Sequence, residues 1–257
     1  MLGGAWWCSG EWQKGPLPFF NNLFIFYIRV MKTIATYIRR IANDSSISYW
    51  LDLIGKRYGL STELGPKVID GHLILREIAD ILRPLPQDLV RACGINHLLI
   101  RNDMGPNKPY YPNHGYFTGN QIALNADIFY NPDLPDDFFD HHGYFVTRPQ
   151  QTLIHELGHG YDEHNGNLSL KEDWLKLSDW SENFKPGLKR LIINEKEAPK
   201  IVGEWFYNPE AGFTRFYAKR NPWDDWADSF AFYNANLKDK VPPNKTGYFK
   251  NILGQYS

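Results

Sequence analysis

Cysteine is scarce in this chain of 257 residues, which contains only Cys8 and Cys93. Two cysteines could pair once, but they cannot build a disulfide scaffold or a thiolate zinc cluster. An excess of one charge is also absent, because 28 basic and 29 acidic side chains leave a formal net charge of −1. No basic field is present to hold nucleic acid or an anionic membrane, so we expect no nucleic acid partner.

A long hydrophobic run is missing as well. The clean apolar stretch Leu23–Ile28 is far shorter than the roughly 20 residues of a membrane span. A signal peptide is not indicated, since Lys14 is the only early basic residue and prolines precede the apolar stretch. We predict a poorly defined extension over residues 1–30, with the natural start at Met31. The protein is expected to be soluble; its compartment, including secretion, stays open.

The remaining composition is that of a folded protein, with 43% hydrophobic and 22% charged residues. Apolar spacing and turn residues predict three longer helices and two short strands. The helices cover about residues 69–82, 147–164 and 221–237, and the strands cover Leu98–Ile100 and Gln121–Asn125. Thr147 and Asn221 are the predicted N-caps of the later two helices, each with a proline in the first turn. The order of elements indicates an α+β fold.

The segment His155-Glu156-Leu157-Gly158-His159 carries the clearest chemical pattern. Histidines four residues apart share a helical face, so both imidazoles can bind one metal ion. Glu156, about 100° round the helix from His155, can take a proton from metal-bound water. Zinc lowers the pKa of such water from about 15.7 towards about 7. The alternative is a helix with two incidental histidines, but chance produces the pattern in only roughly 0.01 copies per chain of this composition.

A third metal ligand must come from elsewhere, since catalytic zinc usually has three protein ligands. Asp224, Asp225 and Asp228 lie in the predicted helix after Asn221. Asp224 and Asp228 share a face, so one could bind metal while the other accepts a hydrogen bond from a ligand imidazole. Carboxylates in a first helical turn are also favoured by the helix dipole alone. Asp225 stays open as the ligand, and so do Glu195, Glu197, Glu204 and Glu210.

Other histidines and one aspartate have simpler interpretations. His141 and His142 are adjacent on a loop. Adjacent loop residues seldom bind one ion together, so we interpret both histidines as solvated. His114 lies among aromatic residues and is either structural or near the cleft. Asp162 is a helix-end carboxylate, with a supporting contact to the metal site as the alternative.

The segment from Tyr217 to Phe230 resembles the corresponding stretch of the anthrax lethal factor type of zinc metalloprotease, a family that includes the clostridial Pro-Pro endopeptidases. The shared pattern is a tyrosine, an acidic metal ligand seven residues later, then an aromatic-Ala-acid run and a phenylalanine. The segment His155–Asp162 also resembles the family's His-Glu-x-Gly-His with an aspartate three residues on. The resemblance covers about residues 121–232 and implies a gluzincin of the HExxH type.

The resemblance assigns roles to individual residues. It implies that His155, His159 and Asp224 bind Zn²⁺. It also implies that Glu156 is the general base and that Tyr217 donates a hydrogen bond to the oxyanion of the tetrahedral intermediate. Asp228 would contact a ligand imidazole.

Two departures from the family affect the third ligand. The family usually has glutamate there, so the shorter Asp224 requires its helix to lie closer, or Asp225 takes the role. The long spacer between His159 and Asp224 requires an inserted element such as residues 165–210.

We therefore predict a zincin-like metalloprotease domain over residues 31–257. An upper lobe would hold a small mixed sheet and the active-site helix, and a mainly helical lower lobe would supply Asp224 and Tyr217. The predicted function is a zinc-dependent endopeptidase acting on a peptide or protein substrate. Gln121–Asn125 alternates like an edge strand, so by resemblance residues 119–125 would hold an extended peptide.

Two alternatives remain beside the peptidase. The first is a catalytically silent zinc-binding protein of the same fold that acts as a partner-recognition module. The second is a structural protein whose motif is accidental. The resemblance also suggests a toxin or effector, while the substrate and the oligomeric state stay open.

Overall fold

The structure is a computed structural model that describes residues 31–32, 34, 45–102, 114–130, 147–194, 199–235 and 237–256. The chain divides into two compact units, Met1–Ser45 and Ser46–Ser257. The predicted extension over residues 1–30 lies outside the described residues. All elements named below belong to the second unit.

The second unit mixes helices with a larger and a smaller sheet. Residues 46–58 are helical and form α1. The elements that follow are β1 (Ser61–Leu64), α2 (Gly71–Leu82), α3 (Gln87–Ala92), β2 (His97–Arg101), β3 (Gly115–Thr118), β4 (Gln121–Asn125), α4 (Asp127–Tyr130), α5 (Arg148–His164), α6 (Glu172–Leu175), β5 (Lys189–Asn194), β6 (Pro199–Tyr207), α7 (Pro222–Asn234) and α8 (Pro243–Leu253). This mixture agrees with the predicted α+β class.

The larger sheet has the strand order β1-β2-β4-β3. β1, β2 and β4 run parallel, and β3 joins β4 antiparallel, with Gly115 opposite Leu124. The prediction that Gln121–Asn125 is an edge strand is therefore wrong. The strand looked amphipathic because Ala123 and Asn125 alternate with larger apolar residues, but both are buried and the strand is paired on each side. Among the described strands, β3 forms this end of the sheet.

The predicted N-caps of the two later helices are confirmed. The Thr147 hydroxyl accepts a hydrogen bond from the Gln150 amide at 3.4 Å, and the Asn221 side-chain oxygen accepts one from the Asp224 amide at 2.7 Å. Each helix has a proline in its first turn, where the missing N–H costs nothing. The cap residues thus fix where α5 and α7 begin.

The main core lies where α5 packs against α7 and the sheet. Leu153, Ile154 and Leu157 of α5 are buried, as are Trp226 and Phe230 of α7. The Tyr161 ring stacks on the Trp226 ring, with centroids 5.8 Å apart. Burial of such large side chains stabilises the fold by about 1.5–3 kcal/mol each.

Two glycines of α5 allow neighbouring backbone to approach closely. A Cβ at Gly158 would lie 3.0 Å from the Ala227 Cα and 3.2 Å from the Ala227 oxygen. A Cβ at Gly160 would lie 2.6 Å from the Cys93 carbonyl oxygen. A side chain at either position would crowd neighbouring backbone, so Gly158 lets α7 lie directly against α5 and Gly160 does the same for the end of α3.

The segment predicted as an inserted element contains a second, two-stranded sheet. β5 and β6 pair antiparallel. A separate small cluster forms beside it from Trp180, Leu191 and Tyr207, with Phe213 and Phe216 against them. Neither strand was predicted from the sequence pattern.

In the part of the chain that the structure describes, no helix combines the length and the apolar composition needed to cross a bilayer.

Replacing Gly158 by Ala tests the close approach of α5 and α7. The new methyl group would press on backbone that cannot rotate away, so we expect a loss of about 1–3 kcal/mol in the free energy of unfolding. The matched control is Gly247→Ala in α8, where an added Cβ meets nothing within 4 Å. That change should stabilise the helix by about 0.4–1 kcal/mol. Urea unfolding of both variants checks the difference, and equal stabilities would contradict the packing.

Candidate active site

His155, His159 and Asp224 come together between α5 and the first turn of α7. The Nε2 atoms of the two imidazoles are 3.0 Å apart. The Asp224 Oδ1 atom lies 3.8 Å from the His155 Nε2 and 3.5 Å from the His159 Nε2. One ligand atom from each residue therefore lies within 4.8 Å of the other two.

These separations fit a single zinc ion. Zinc binds imidazole nitrogen at about 2.0–2.1 Å and carboxylate oxygen at about 2.0–2.2 Å, so two ligands of one ion are at most roughly 4.3 Å apart. The three distances, 3.0, 3.5 and 3.8 Å, satisfy this limit. Two imidazoles and one carboxylate are also the donor set of many catalytic zinc sites.

The Asp228 carboxylate contacts His155 at Nδ1, the ring nitrogen that does not face the cluster. The His155 Nδ1 lies 2.7 Å from the Asp228 Oδ1, and Asp228 in turn forms an ion pair with Arg215. Burial alone would raise the pKa of Asp228, but the charges of Arg215 and His155 lower it to about 2. An ionised carboxylate only accepts hydrogen bonds, so Nδ1 carries the proton and the Nε2 lone pair faces the cluster.

The two carboxylate oxygens of Asp224 have different partners. Oδ2 accepts a hydrogen bond from the Asn221 side-chain amide at 2.8 Å and lies 3.8 Å from Arg220. Oδ1 faces the imidazoles. Because Asn221 also caps the helix through the Asp224 amide, the same residue starts α7 and orients the carboxylate.

Acidic groups make this pocket attractive to a cation. Burial alone would lower the pKa of His159, but its interactions with Asp224 and Glu156 outweigh burial and raise it. Burial raises the pKa of Glu156, although the two imidazoles oppose the shift. Glu156 is 7% exposed, so this carboxyl group is buried.

Tyr217 lies on a short 3-10 turn, Tyr217–Lys219, that precedes α7. Its ring centroid is 5.9 Å from that of His155, and its phenol oxygen accepts a hydrogen bond from the Arg220 guanidinium at 2.9 Å. Burial and the nearby Asp224 charge raise the pKa of Tyr217. The phenol therefore keeps its proton at neutral pH and can act as a donor.

Asp225, the main rival of Asp224, has other partners. Its carboxylate contacts the Lys245 Nζ at 2.6 and 2.9 Å and accepts a hydrogen bond from the Trp180 indole at 3.1 Å. Burial raises the pKa of Asp225, while it lowers that of Lys245. Asp225 is not part of the cluster around the imidazoles; it joins α7 to α8.

The remaining candidates lie away from the cluster or outside the described residues. Asp162 accepts hydrogen bonds from the Ser169 amide and hydroxyl, both at 2.6 Å, and so ties the end of α5 to the following turn. Glu210 is exposed on the loop after β6, and the backbone oxygen of His114 accepts from the Asn125 amide. The described part of the chain does not include His141, His142, Glu195, Glu197 or the Glu204 side chain.

Sequence reasoning missed several residues around the cluster. Arg215 and Arg220 contact Asp228 and Tyr217, respectively. Phe117 of β3 stacks beside His159, with ring centroids 6.4 Å apart. An arginine two residues before the tyrosine is a weak signal on its own, and the position of β3 depends on sheet order, which the local pattern does not encode.

Comparison with known proteins adds little to this geometry. No protein-family model and no curated protein matches the chain. The chain is similar to a crystal structure of "a putative zinc-binding metallo-peptidase" from Bacteroides caccae ATCC 43185, with 14% identity, 84% of each chain covered and a TM-score of 0.40. A similarity this low carries no argument about function, and the resemblance to the lethal factor type stays a prediction from sequence motifs.

Lys245→Met tests the buried ion pair between Lys245 and Asp225. The change leaves the Asp225 carboxylate buried without its cation, so we expect a loss of about 3–5 kcal/mol in the free energy of unfolding. The control is Lys176→Met, which removes the exposed partner of Glu172 and should leave thermal unfolding unchanged. If the melting temperatures of both variants match that of the wild type, the buried pair does not stabilise the fold.

Proposed function

We propose that this chain is a zinc-dependent endopeptidase. One observation carries the proposal: His155, His159 and Asp224 place one ligand atom each within 4.8 Å of one another. The glutamate that follows His155 in the chain is buried and interacts with the charges of both imidazoles, and a phenol lies beside the His155 ring. Simple metal storage requires neither of these last two groups.

The zinc ion would be held by the two Nε2 atoms and by the Asp224 Oδ1. When bound, zinc supplies a Lewis acid that polarises the carbonyl of a peptide bond and acidifies a water molecule. Asp228 keeps the His155 lone pair directed at the ion. Asn221 keeps one Asp224 oxygen occupied, so that the other is left to bind.

Glu156 acts as the general base and then as the general acid. It takes a proton from the attacking water and passes it to the leaving nitrogen of the cleaved bond. Burial raises its pKa, which brings the group closer to the pKa near the working pH that favours proton transfer in both directions.

Tyr217 would stabilise the oxyanion that develops on the carbonyl oxygen when water attacks the carbonyl carbon. Its phenol keeps its proton, because burial beside Asp224 raises its pKa, and it can therefore donate a hydrogen bond as charge develops. The Arg220 guanidinium, which donates to the phenol oxygen at 2.9 Å, holds the ring at the edge of the cluster.

The substrate lies along β3 in this proposal. Within the described sheet, β3 pairs with β4 on one side and forms the end of the strand order. Its Gly115 lies against Thr152 of α5, and its Phe117 stacks beside His159. An extended peptide could add to β3 by main-chain hydrogen bonds, which suits a protein or peptide substrate. This strand replaces residues 119–125 as the proposed peptide-binding edge.

Glu156→Gln tests the mechanism. The amide cannot accept a proton from water, so we expect turnover to fall by at least about 10²–10⁴-fold, the range for general acid–base catalysis, while zinc stoichiometry stays at the wild-type value. The measurements are digestion of a broad peptide library and metal analysis. Glu163→Gln, an exposed position on the same helix, is the control and should behave as wild type.

Full activity of Glu156→Gln would contradict the mechanism. A wild-type protein that holds one zinc ion but cleaves nothing in the library would favour the silent zinc-binding alternative.

Asp224→Ala tests the third ligand. Loss of a residue that only hydrogen-bonds to a metal ligand lowers affinity roughly 10–100-fold, and we expect zinc affinity to fall by more than this. We also expect the zinc-dependent rise in melting temperature to disappear. Asp88→Ala is the control, because Asp88 is an exposed aspartate in the first turn of α3. Competition with a chromophoric chelator measures both affinities. Wild-type zinc affinity in Asp224→Ala would show that another residue is the ligand.

A further inference from the structure

Arg215 makes a bidentate contact with the carboxylate behind His155. Its Nε donates to the Asp228 Oδ2 at 2.8 Å, and its Nη2 donates to the Asp228 Oδ1 at 2.6 Å. The Asp228 side chain is 0% exposed and that of Arg215 is 14% exposed. Two parallel hydrogen bonds fix the plane of a carboxylate as well as its position.

The same carboxylate oxygen also serves the imidazole. Asp228 Oδ1 lies 2.6 Å from the Arg215 Nη2 and 2.7 Å from the His155 Nδ1. A guanidinium has donors only, and a carboxylate has acceptors only, so the chain of bonds has a fixed direction from Arg215 and His155 into Asp228. The plane that Arg215 imposes on Asp228 therefore sets where the His155 ring points.

Arg215 also contacts α5 and the turn that carries Tyr217. The Gln151 side-chain amide lies beside this guanidinium, and with its oxygen turned towards Arg215 it accepts from the Nε at 3.2 Å and from the Nη1 at 3.0 Å. Gln151 lies one helical turn before His155 on α5. The guanidinium carbon lies 5.1 Å from the centre of the Tyr217 ring. One side chain thus joins α5, α7 and the Tyr217 turn around the cluster.

We infer that Arg215 is a positioning residue for the metal, acting through Asp228 to hold the His155 ring with its Nε2 lone pair towards the cluster. The inference rests on the proposed zinc site and extends it to a residue that does not touch the ion. Without the guanidinium, the buried carboxylate can rotate, and the imidazole then samples the tautomer that presents an N–H to the metal. Zinc affinity falls as a result.

Charge alone predicts the opposite sign. Removing a cation close to a metal site reduces repulsion of Zn²⁺ and would tighten binding. Positioning predicts weaker binding, so the direction of the change separates the two effects. Lysine keeps the charge but lacks the planar fork, and Arg215→Lys should therefore resemble Arg215→Ala if geometry is what matters.

The experiment compares zinc dissociation constants of the full chain by chelator competition. For Arg215→Ala we expect the zinc dissociation constant to rise by about tenfold, the lower end of the range for residues that hydrogen-bond to a metal ligand or support such a residue. Arg215→Lys should show most of this rise. Arg190→Ala is the matched control, since Arg190 is also a half-buried arginine stacked on an aromatic ring, Phe206, away from the cluster. It should bind zinc as the wild type does.

Two further measurements test the route through Asp228. In an Asp228→Ala background, Arg215→Ala should add no further loss of zinc affinity, because the relay is already broken. Imidazole ¹⁵N shifts of the zinc-free chain should show a single Nδ1–H tautomer of His155 in the wild type and a mixture of tautomers in Arg215→Lys. That variant serves also if Arg215→Ala does not fold.

Unchanged or tighter zinc binding in Arg215→Lys, or additive losses in the double variant, would overturn the positioning role while leaving the zinc site intact. A wild-type chain that binds no zinc, or binds it equally well after His155→Ala and His159→Ala, would overturn the proposed function itself.

Discussion

The contact between α5 and α7 is the constraint on which the candidate site depends. A helix carrying His155 and His159 offers only two ligands, and the third group must arrive from a segment far along the chain. Gly158, between the histidines, has no side chain and meets the Ala227 backbone. Two helices that touch backbone to backbone can bring a short aspartate within reach of the imidazoles, and Asp224 lies 3.5 and 3.8 Å from their Nε2 atoms.

The three aspartates of α7 are all buried, and each has different neighbours. Asp225 faces Lys245, Asp228 faces Arg215, and Asp224 has one oxygen on Asn221 and the other towards the histidines. Burying a carboxylate without such a partner costs several kcal/mol. Asp225 and Asp228 are each paired with a cationic side chain, whereas Asp224 turns one oxygen towards the two imidazoles, where a divalent cation would bind in the proposed site.

Sequence patterns predicted the features that depend on residues close together in the chain. The caps at Thr147 and Asn221, the spacing of the two histidines and the shared face of Asp224 and Asp228 follow from helix geometry, and the structure has them where the sequence indicated. Sheet order did not follow, since Gln121–Asn125 has the composition of an edge strand but lies between two others. Arg215 could not be predicted either, because an isolated arginine in a loop acquires its role only once α5 and α7 have met.

The contact between Asp225 and Lys245 has a consequence for the timing of synthesis. Lys245 belongs to α8, near the C-terminal end of the described chain, whereas the histidines are made about ninety residues earlier. In a growing chain, the Asp225 carboxylate has no Lys245 to pair with until α8 has left the ribosome. Docking of α7 therefore waits for a lysine that is made twenty residues after Asp225.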